Sequence, residues 1–281
     1  MKNIYKKFKI GDMEAAAILD SKMDFTPDIF SGVAPELMQA LQVPGWEEGW
    51  TNSYVIKTNG KTILIDTGWG GFYDSECYFN QALKELNIAP ENVDIILISH
   101  FQIDHIGGLV KDFKPVFPNA ILYYSQREKD YWLAPERQNE EEFQITTKII
   151  NAYSNRTKIF DSAPHGKKGD AYAIGDEILP GIKTWALYGH TPGQTAFLLE
   201  SKGDKLLISA DLIHCAAMQF NEPEIYPVPW DVDHKEGIKV RLAMLKLIAE
   251  ENLPIAGQHL PFPGIGQVRA KGKAYEYLPA K

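Results

Sequence analysis

Apolar runs separated by turn residues mark β-structure in the first quarter of the chain. The stretch 5–21 (YKKFKIGDMEAAAILDS) predicts two strands with a turn at 11–12. The stretch 51–68 (TNSYVIKTNGKTILIDTG) predicts a clearer hairpin, because Asn59-Gly60 is a strong two-residue turn signal between two apolar runs.

The same pattern returns later in the chain. The stretch 194–211 (QTAFLLESKGDKLLISAD) predicts a second hairpin, with its turn at Gly203-Asp204. The run VDIILISH (93–100) lacks polar alternation, which is typical of a strand covered on both faces. Further strands are predicted at AILYYSQ (120–126), IKTWALYG (182–189) and PIAGQ (254–258).

Helical spacing of apolar residues predicts the remaining elements. A helix is expected within 75–88, polar helices within 126–155, and a long helix over 235–252. The apolar stripe predicted for the long helix consists of Ile238, Leu242, Leu245 and Ile248. A short helix after Pro35 and a loop at 165–170 complete the assignment.

Both halves of the chain therefore read as strands followed by helices. This order fits an α/β fold with two packed sheets and helices outside, in a single domain over residues 1–281. A chain of 281 residues is long enough to bury a large core without disulfides.

Charge and cysteine content narrow the function classes. The formal net charge is -8, which argues against nucleic acid as the main partner because phosphate binding needs a basic face. The two cysteines, Cys77 and Cys215, lack CxxC spacing, so we expect reduced thiols and a cytoplasmic protein, although a disulfide between them stays open. No apolar stretch is long enough to span a membrane, so no membrane partner is expected.

Several of the predicted strands end in a residue that binds metals well. These residues are Asp66, His100, His190, Asp211 and His259. One such residue alone is commonly a cap or a turn residue, but coincidence at five strand ends is improbable. Side chains at strand ends converge on one edge of a sheet, where loops build active sites.

The segment HFQIDH after the strand 93–100 strengthens this interpretation. It places His100, Gln102, Asp104 and His105 within six positions. Imidazole and carboxylate suit zinc, iron, manganese or cobalt, and the cluster contains no thiolate. A divalent metal would lower the pKa of a bound water and provide a nucleophile near neutral pH.

These motifs resemble the metallo-β-lactamase fold superfamily, whose signature is HxHxDH followed by a distant His, an Asp and a last His. The matching segments are HFQIDH, GHTPGQT at His190, SADLIH at Asp211 and GQHLPFPG at His259. Within the superfamily, DLIHCAAMQFNEPEI and the segment from HLPFPGIG onwards look most like the methyl parathion hydrolase and lactonase-like group. The resemblance implies an αββα sandwich of two facing mixed sheets with helices on both outer faces.

The resemblance also implies a distribution of ligands over two metals. The first metal would be bound by His100, Gln102 and His190, and the second by Asp104, His105 and His259. Asp211 would bridge them, Asp104 would also act in catalysis, and Asp66 would support the site without binding metal. One or two zinc ions are expected, with manganese, iron and cobalt as alternatives.

Gln102 departs from the family pattern, which has a histidine at this position. A neutral amide oxygen is a weaker zinc ligand than imidazole, so we expect the first metal to bind less tightly than the second. Because glutamine is isosteric with glutamate, iron or manganese stays an alternative.

Aromatic residues and one further histidine are candidates for the substrate pocket. Trp69, Phe72 and Phe220 are expected to form apolar walls, Trp69 because it follows the Asp66 turn in a glycine-rich loop. His214 is a candidate proton donor or metal contact, or a hydrogen-bonded supporting histidine.

The resulting hypothesis is a metal-dependent hydrolase. It would use a metal-bound hydroxide to cleave a lactone, an ester or a phosphotriester, so its partner would be a small-molecule substrate. The alternatives are an iron-binding oxidoreductase or a non-catalytic binding protein on the same fold. The nearest group suggests a homodimer.

Overall fold

Two seven-stranded sheets carry most of the regular structure in this computed structural model. The structure describes residues 3–26, 29–31, 33, 36, 39, 47–162 and 174–280. The predicted loop at 165–170 and most of the predicted helix after Pro35 lie outside these residues.

The first sheet combines antiparallel and parallel pairs. Its strands follow one another in the order of the chain, with antiparallel pairs at the start and parallel pairs at the end. They are β1 (Tyr5–Ile10), β2 (Met13–Phe25), β3 (Glu47–Thr58), β4 (Lys61–Ile65), β5 (Ile95–Leu97), β8 (Ile121–Ser125) and β9 (Thr157–Phe160). The short strands β6 (Val110–Lys111) and β7 (Lys114–Pro115) form a separate ribbon.

The second sheet also follows chain order and contains one parallel pair, between its fourth and fifth strands. Its strands are β10 (Ile174–Leu179), β11 (Ile182–Ala186), β12 (Thr195–Ser201), β13 (Asp204–Ile208), β14 (Ile255–Ala256), β15 (Ile265–Lys271) and β16 (Ala274–Pro279).

Six α-helices accompany the strands in the described part of the chain. They are α1 (Phe79–Glu85), α2 (Ile103–Ile106), α3 (Gln126–Trp132), α4 (Glu141–Asn151), α5 (Ala216–Gln219) and α6 (His234–Glu250). None of the described helices is both long and apolar enough to cross a bilayer.

The chain divides into two compact units. The N-terminal unit comprises Met1–Ser21, Thr51–Asp161 and Ser201–Asp204, and the C-terminal unit comprises Lys22–Trp50, Ser162–Glu200 and Lys205–Lys281. Each unit has a core cluster of buried apolar side chains, each of which stabilises the fold by ~1.5–3 kcal/mol relative to exposure. The prediction of one domain over 1–281 stays a prediction.

Most predicted elements are confirmed, and three details differ. The hairpin of β12 and β13 turns at Lys202-Gly203, one residue earlier than predicted. The buried face of α6 includes Arg241 and Met244, whereas Ile238 and Leu242 are only half-buried. Finally, the predicted elements do not include β6, β7, β9, β10, β15 or β16.

Candidate metal centre

Four predicted ligands lie together in the N-terminal unit, where β5 gives way to α2. His100 and His105 are fully buried, and their ring centroids are 3.9 Å apart. Gln102 directly precedes α2 and Asp104 lies in its first turn, and both are partly exposed. The short helix therefore turns the side chains of one six-residue segment toward a common point.

Asp66 fixes the orientation of both imidazoles. Its carboxylate accepts the Ser99 backbone N–H and the Ser99 hydroxyl, each at 2.8 Å, and the Nδ1–H of His105 at 2.9 Å. Because the Ser99 hydroxyl donates to Asp66, its oxygen accepts the Nδ1–H of His100 at 3.1 Å. Both rings thus keep the Nε2 lone pair for a ligand, the arrangement typical of metal-binding histidines.

The backbone at Asp66 is itself unusual. Its φ is +57°, in the left-handed region that costs a non-glycine residue ~1–3 kcal/mol. The surrounding hydrogen bonds hold this conformation. Ser99, which connects Asp66 to His100, was not predicted from the sequence, because a serine at a strand end gives no distinctive signal.

Gln102 faces the second ring nitrogen of His100. Its Oε1 lies 3.3 Å from the Nε2 of His100. The fixed tautomer makes this nitrogen an acceptor, so two acceptor atoms approach each other. A shared cation would stabilise such a pair, and a neutral amide would contribute less to it than an imidazole.

The glycine-rich loop with Trp69 packs directly on α2. The backbone N–H of Thr67 donates to the carbonyl of His105 at 2.8 Å. A Cβ at Gly107 would lie 2.0 Å from the Trp69 carbonyl oxygen, and one at Gly108 would lie 2.0 Å from that of Thr67. Only glycine permits this approach, which places the half-buried Trp69 beside the ligand segment.

The C-terminal unit assembles a second ligand set around Asp211. The Oδ2 of Asp211 lies 2.9 Å from the Nε2 of His259, 3.2 Å from that of His214 and 3.3 Å from that of His190. All four side chains are at most 4% exposed. Ala210 precedes this carboxylate with a left-handed φ of +47°.

Hydrogen-bond partners outside the ligand set orient the imidazole rings of His190 and His259. The Nδ1–H of His190 donates to Asp231 at 2.8 Å, and that of His259 donates to the Trp50 carbonyl at 2.6 Å. Asp231 in turn lies 3.8 Å from the buried guanidinium of Arg241. Neither Asp231 nor Arg241 was predicted from the sequence, because Asp231 lies 41 residues beyond His190.

Burial and charge shift the pKa values of the histidines in opposite directions. Burial alone would lower the pKa of His190, but the hydrogen bonds and charges of Asp211 and Asp231 raise it to about 9. Burial lowers the pKa of His214 to about 4 despite its contact with Asp211, so this ring is neutral near pH 7.

The donor set fits a divalent metal. His190, His214 and His259 direct Nε2 atoms at one carboxylate oxygen, and the other ring nitrogens of His190 and His259 are donors elsewhere. The ligand atoms of Asp211, His214 and His259 lie within 4.8 Å of one another. Imidazole nitrogens around a carboxylate are the usual ligands of zinc and its neighbours.

Two predicted pocket residues differ in their surroundings. Phe72 is half-buried and its ring lies 6.1 Å from that of Phe113, an exposed side chain. Phe220 is only 2% exposed and stacks on Tyr277 at 5.4 Å within the core of the C-terminal unit. Phe220 thus belongs to a core cluster of this unit, and the expectation that it forms a pocket wall stays a prediction.

Residues 47–259 match the family model described as the metallo-β-lactamase superfamily. The chain belongs to this superfamily. The match covers all seven predicted metal ligands, and it confirms the predicted α/β fold class.

Two solved structures show how far the similarity extends. The chain is similar to the hydrolase AbOPH of the β-lactamase superfamily, with 26% identity, a TM-score of 0.83, and coverage of 99% of this chain and 97% of that one. It is equally similar to AidC, a dizinc quorum-quenching lactonase, with 28% identity, a TM-score of 0.83 and the same coverage.

The chain matches only part of the length of its curated relatives. One is the endoribonuclease YSH1 of Candida glabrata, which is 26% identical over 198 residues, or 67% of this chain. The chain matches 24% of the length of that relative. The family model and the two structural neighbours together support membership of this superfamily, whose members typically bind divalent metals.

Proposed function

We propose that this protein is a metal-dependent hydrolase of lactones, esters or phosphotriesters. The observation that carries the proposal is the convergence of three imidazole nitrogens on the Asp211 carboxylate. When bound, a divalent metal lowers the pKa of water and polarises the oxygen of a carbonyl or phosphoryl group.

The assignment of ligands follows the family resemblance. His100, Gln102 and His190 would bind the first metal, and Asp104, His105 and His259 the second. Asp211 would bridge the two, and Asp66 would orient His105 through their 2.9 Å hydrogen bond. Zinc is the proposed metal, and the similarity to the dizinc lactonase AidC supports this choice.

Gln102 makes the two metals unequal in this proposal. Its amide oxygen replaces an imidazole beside His100, so the first metal should dissociate more easily. In Gln102→His, we expect the weaker zinc equivalent to bind ~10-fold or more tightly, measured by equilibrium dialysis with metal analysis. Gln138→His, which adds a histidine at an exposed position, is the matched control. Two equally tight zinc ions in the unmodified protein would refute the inequality.

The role of His214 can be tested by substitution. Its Nε2 lies as close to Asp211 as that of His190, which favours a metal-binding role over that of a proton donor. In His214→Ala we expect zinc content and turnover to fall together. Loss of turnover at full zinc content would instead assign it to substrate or leaving-group contact.

The substrate is proposed to be a small molecule with an apolar part. Trp69 and Phe72 supply the apolar surface beside the ligand segment. The net charge of -8 supports a neutral substrate rather than nucleic acid. A methyl parathion hydrolase-like or lactonase-like subgroup, a homodimer and a cytoplasmic location complete the proposal.

One assay series tests the proposed metal-dependent hydrolysis. The protein is depleted of metal with a chelator, reloaded with zinc, manganese or cobalt, and tested on lactones, aryl esters and phosphotriesters. We expect metal-dependent hydrolysis of at least one class, lost in Asp211→Ala and kept in Asp112→Ala, whose carboxylate is exposed. No hydrolysis with any metal would refute the proposal, and an iron absorption band would favour the oxidoreductase alternative.

A further inference from the structure

Asp20 is a buried carboxylate that the proposed chemistry does not use. It lies in β2, its side chain is 0% exposed, and it ends the apolar run AAAIL. Burial raises its pKa to about 7, although hydrogen bonds from Trp69 and Phe79 act in the opposite direction. Burying an ionisable group is costly, so its presence calls for a specific role.

The hydrogen bonds of Asp20 join two points ten residues apart in the chain. Its Oδ2 accepts the backbone N–H of Trp69 at 2.8 Å, and its Oδ1 accepts that of Phe79 at 3.3 Å. Its backbone carbonyl accepts the N–H of Tyr78 at 2.6 Å. One residue therefore holds both ends of the segment 69–78, which we call the Trp69 loop.

The Trp69 loop contains little regular secondary structure. Its one regular element is a three-residue helical turn at Phe72–Asp74, in which Tyr73 has a left-handed φ of +55°. The Tyr73 side chain is 60% exposed, and its ring packs edge-on against Trp69 with centroids 6.4 Å apart. Exposed loops with few packed contacts open readily unless their ends are fixed.

The close packing of Gly68 against the Asp20 carboxyl group supports a positioning role for Asp20. A Cβ at Gly68 would lie 2.2 Å from the Asp20 carboxyl carbon, and the φ of Gly68 is +72°. Glycine therefore lets the chain pass against the carboxylate immediately before Trp69. The Trp69 indole is held as well, by donation to the Thr51 hydroxyl at 3.2 Å.

We propose that Asp20 is a positioning residue that holds both ends of the Trp69 loop and so fixes the aromatic wall of Trp69 and Tyr73. The inference rests on the proposed function for its substrate: an ester or lactone with an apolar group beside the scissile bond. Fixing the wall in advance removes an ordering cost from binding. Asp20 should therefore affect the affinity for apolar substrates and leave the chemical step and the metals unchanged.

The test is Asp20→Asn, with Asp94→Asn as the matched control. The Asp94 carboxylate also accepts a backbone N–H, from Thr62 at 2.9 Å, and pairs with Lys61 away from the loop. An asparagine offers one acceptor oxygen, so one backbone N–H of the loop loses its partner. We expect KM for naphthyl acetate to rise about tenfold in Asp20→Asn, with kcat and zinc content unchanged and KM for methyl acetate within about twofold.

A second measurement does not depend on catalysis. Backbone amides of the Trp69 loop and of Phe79 should exchange hydrogen at least about tenfold faster in Asp20→Asn, whereas those of β5 should not change. Asp20→Ser, which removes the buried carboxyl group, should show the same effects. It provides a second test if Asp20→Asn folds poorly.

The outcomes separate the two proposals. Unchanged exchange in the loop would overturn the role of Asp20, as would an equal rise in KM for both esters. If the unmodified protein hydrolyses no substrate, the proposed function fails, while loop exchange still tests whether Asp20 holds the loop.

Discussion

Replacing Arg241 with methionine should destabilise the protein strongly. Arg241 is 2% exposed and lies on the buried face of α6. Its guanidinium donates to the carbonyls of Leu212 and Pro223 at 2.9 Å and of Ile225 at 2.8 Å. Burial lowers its pKa to about 10, so the group is cationic at neutral pH.

The expected magnitude follows from these partners. Hydrogen bonds from a charged donor contribute ~1.5–3 kcal/mol each. Gln219 also donates to the Ile225 carbonyl, which keeps a partner in the variant. Methionine fills a similar volume but donates nothing, and it removes the guanidinium that lies 3.8 Å from Asp231. We expect the free energy of unfolding to fall by ~3–5 kcal/mol, the usual cost of breaking a buried charged network.

Equilibrium unfolding in urea at neutral pH measures this change. Lys246→Met is the matched control, because it removes one positive charge from an exposed position of the same helix. Its change should stay within ~0.5 kcal/mol, as for most surface substitutions. If Arg241→Met were no less stable than Lys246→Met, the buried guanidinium would not organise this region.

Four further substitutions test the interior and the ligand shell. Tyr153→Phe removes a buried hydroxyl that bonds two backbone groups at 2.7 and 3.2 Å, and it should cost ~1–3 kcal/mol in urea unfolding. Gly108→Ala places a Cβ 2.0 Å from the Thr67 carbonyl and should cost ~1–3 kcal/mol, whereas Gly237→Ala in α6, where a Cβ would meet its nearest neighbours at an ordinary 3.5–3.6 Å, should stabilise by up to ~1 kcal/mol. Asp66→Asn should weaken zinc binding ~10–100-fold in a chelator competition, and unchanged affinity would contradict its orienting role.

The positions of the predicted ligands could be inferred because strand ends are visible in a sequence. Apolar runs end where the chain leaves a sheet, so His100 and Asp211 stand out without any structure. Spacing within HFQIDH then places Asp104 and His105 on one turn of α2. Local pattern and chemistry agree at these positions, and the structure brings each set together within its unit.

The residues that orient the ligands could not be inferred in this way. Asp231 contacts His190 across 41 residues, and Asp20 contacts Trp69 across 49. Arg241 lies on the face of α6 where the periodic pattern predicts apolar side chains. Its burial contradicts the rule that arginine is mostly exposed. Asp20 did carry one overlooked signal, since it ends an apolar run as the ligands do.

The hydrogen bonds behind the imidazoles have a consequence for the protein before it acquires metal. Four rings, those of His100, His105, His190 and His259, are held through Nδ1 by partners within their own units. Ordering a free side chain costs ~0.5–1.5 kcal/mol. Because these four rings are already ordered, the free-energy cost of binding a metal is lower by ~2–6 kcal/mol in total. The metal-free chain therefore already holds these rings in position, and it should rebind metal after chelation without refolding.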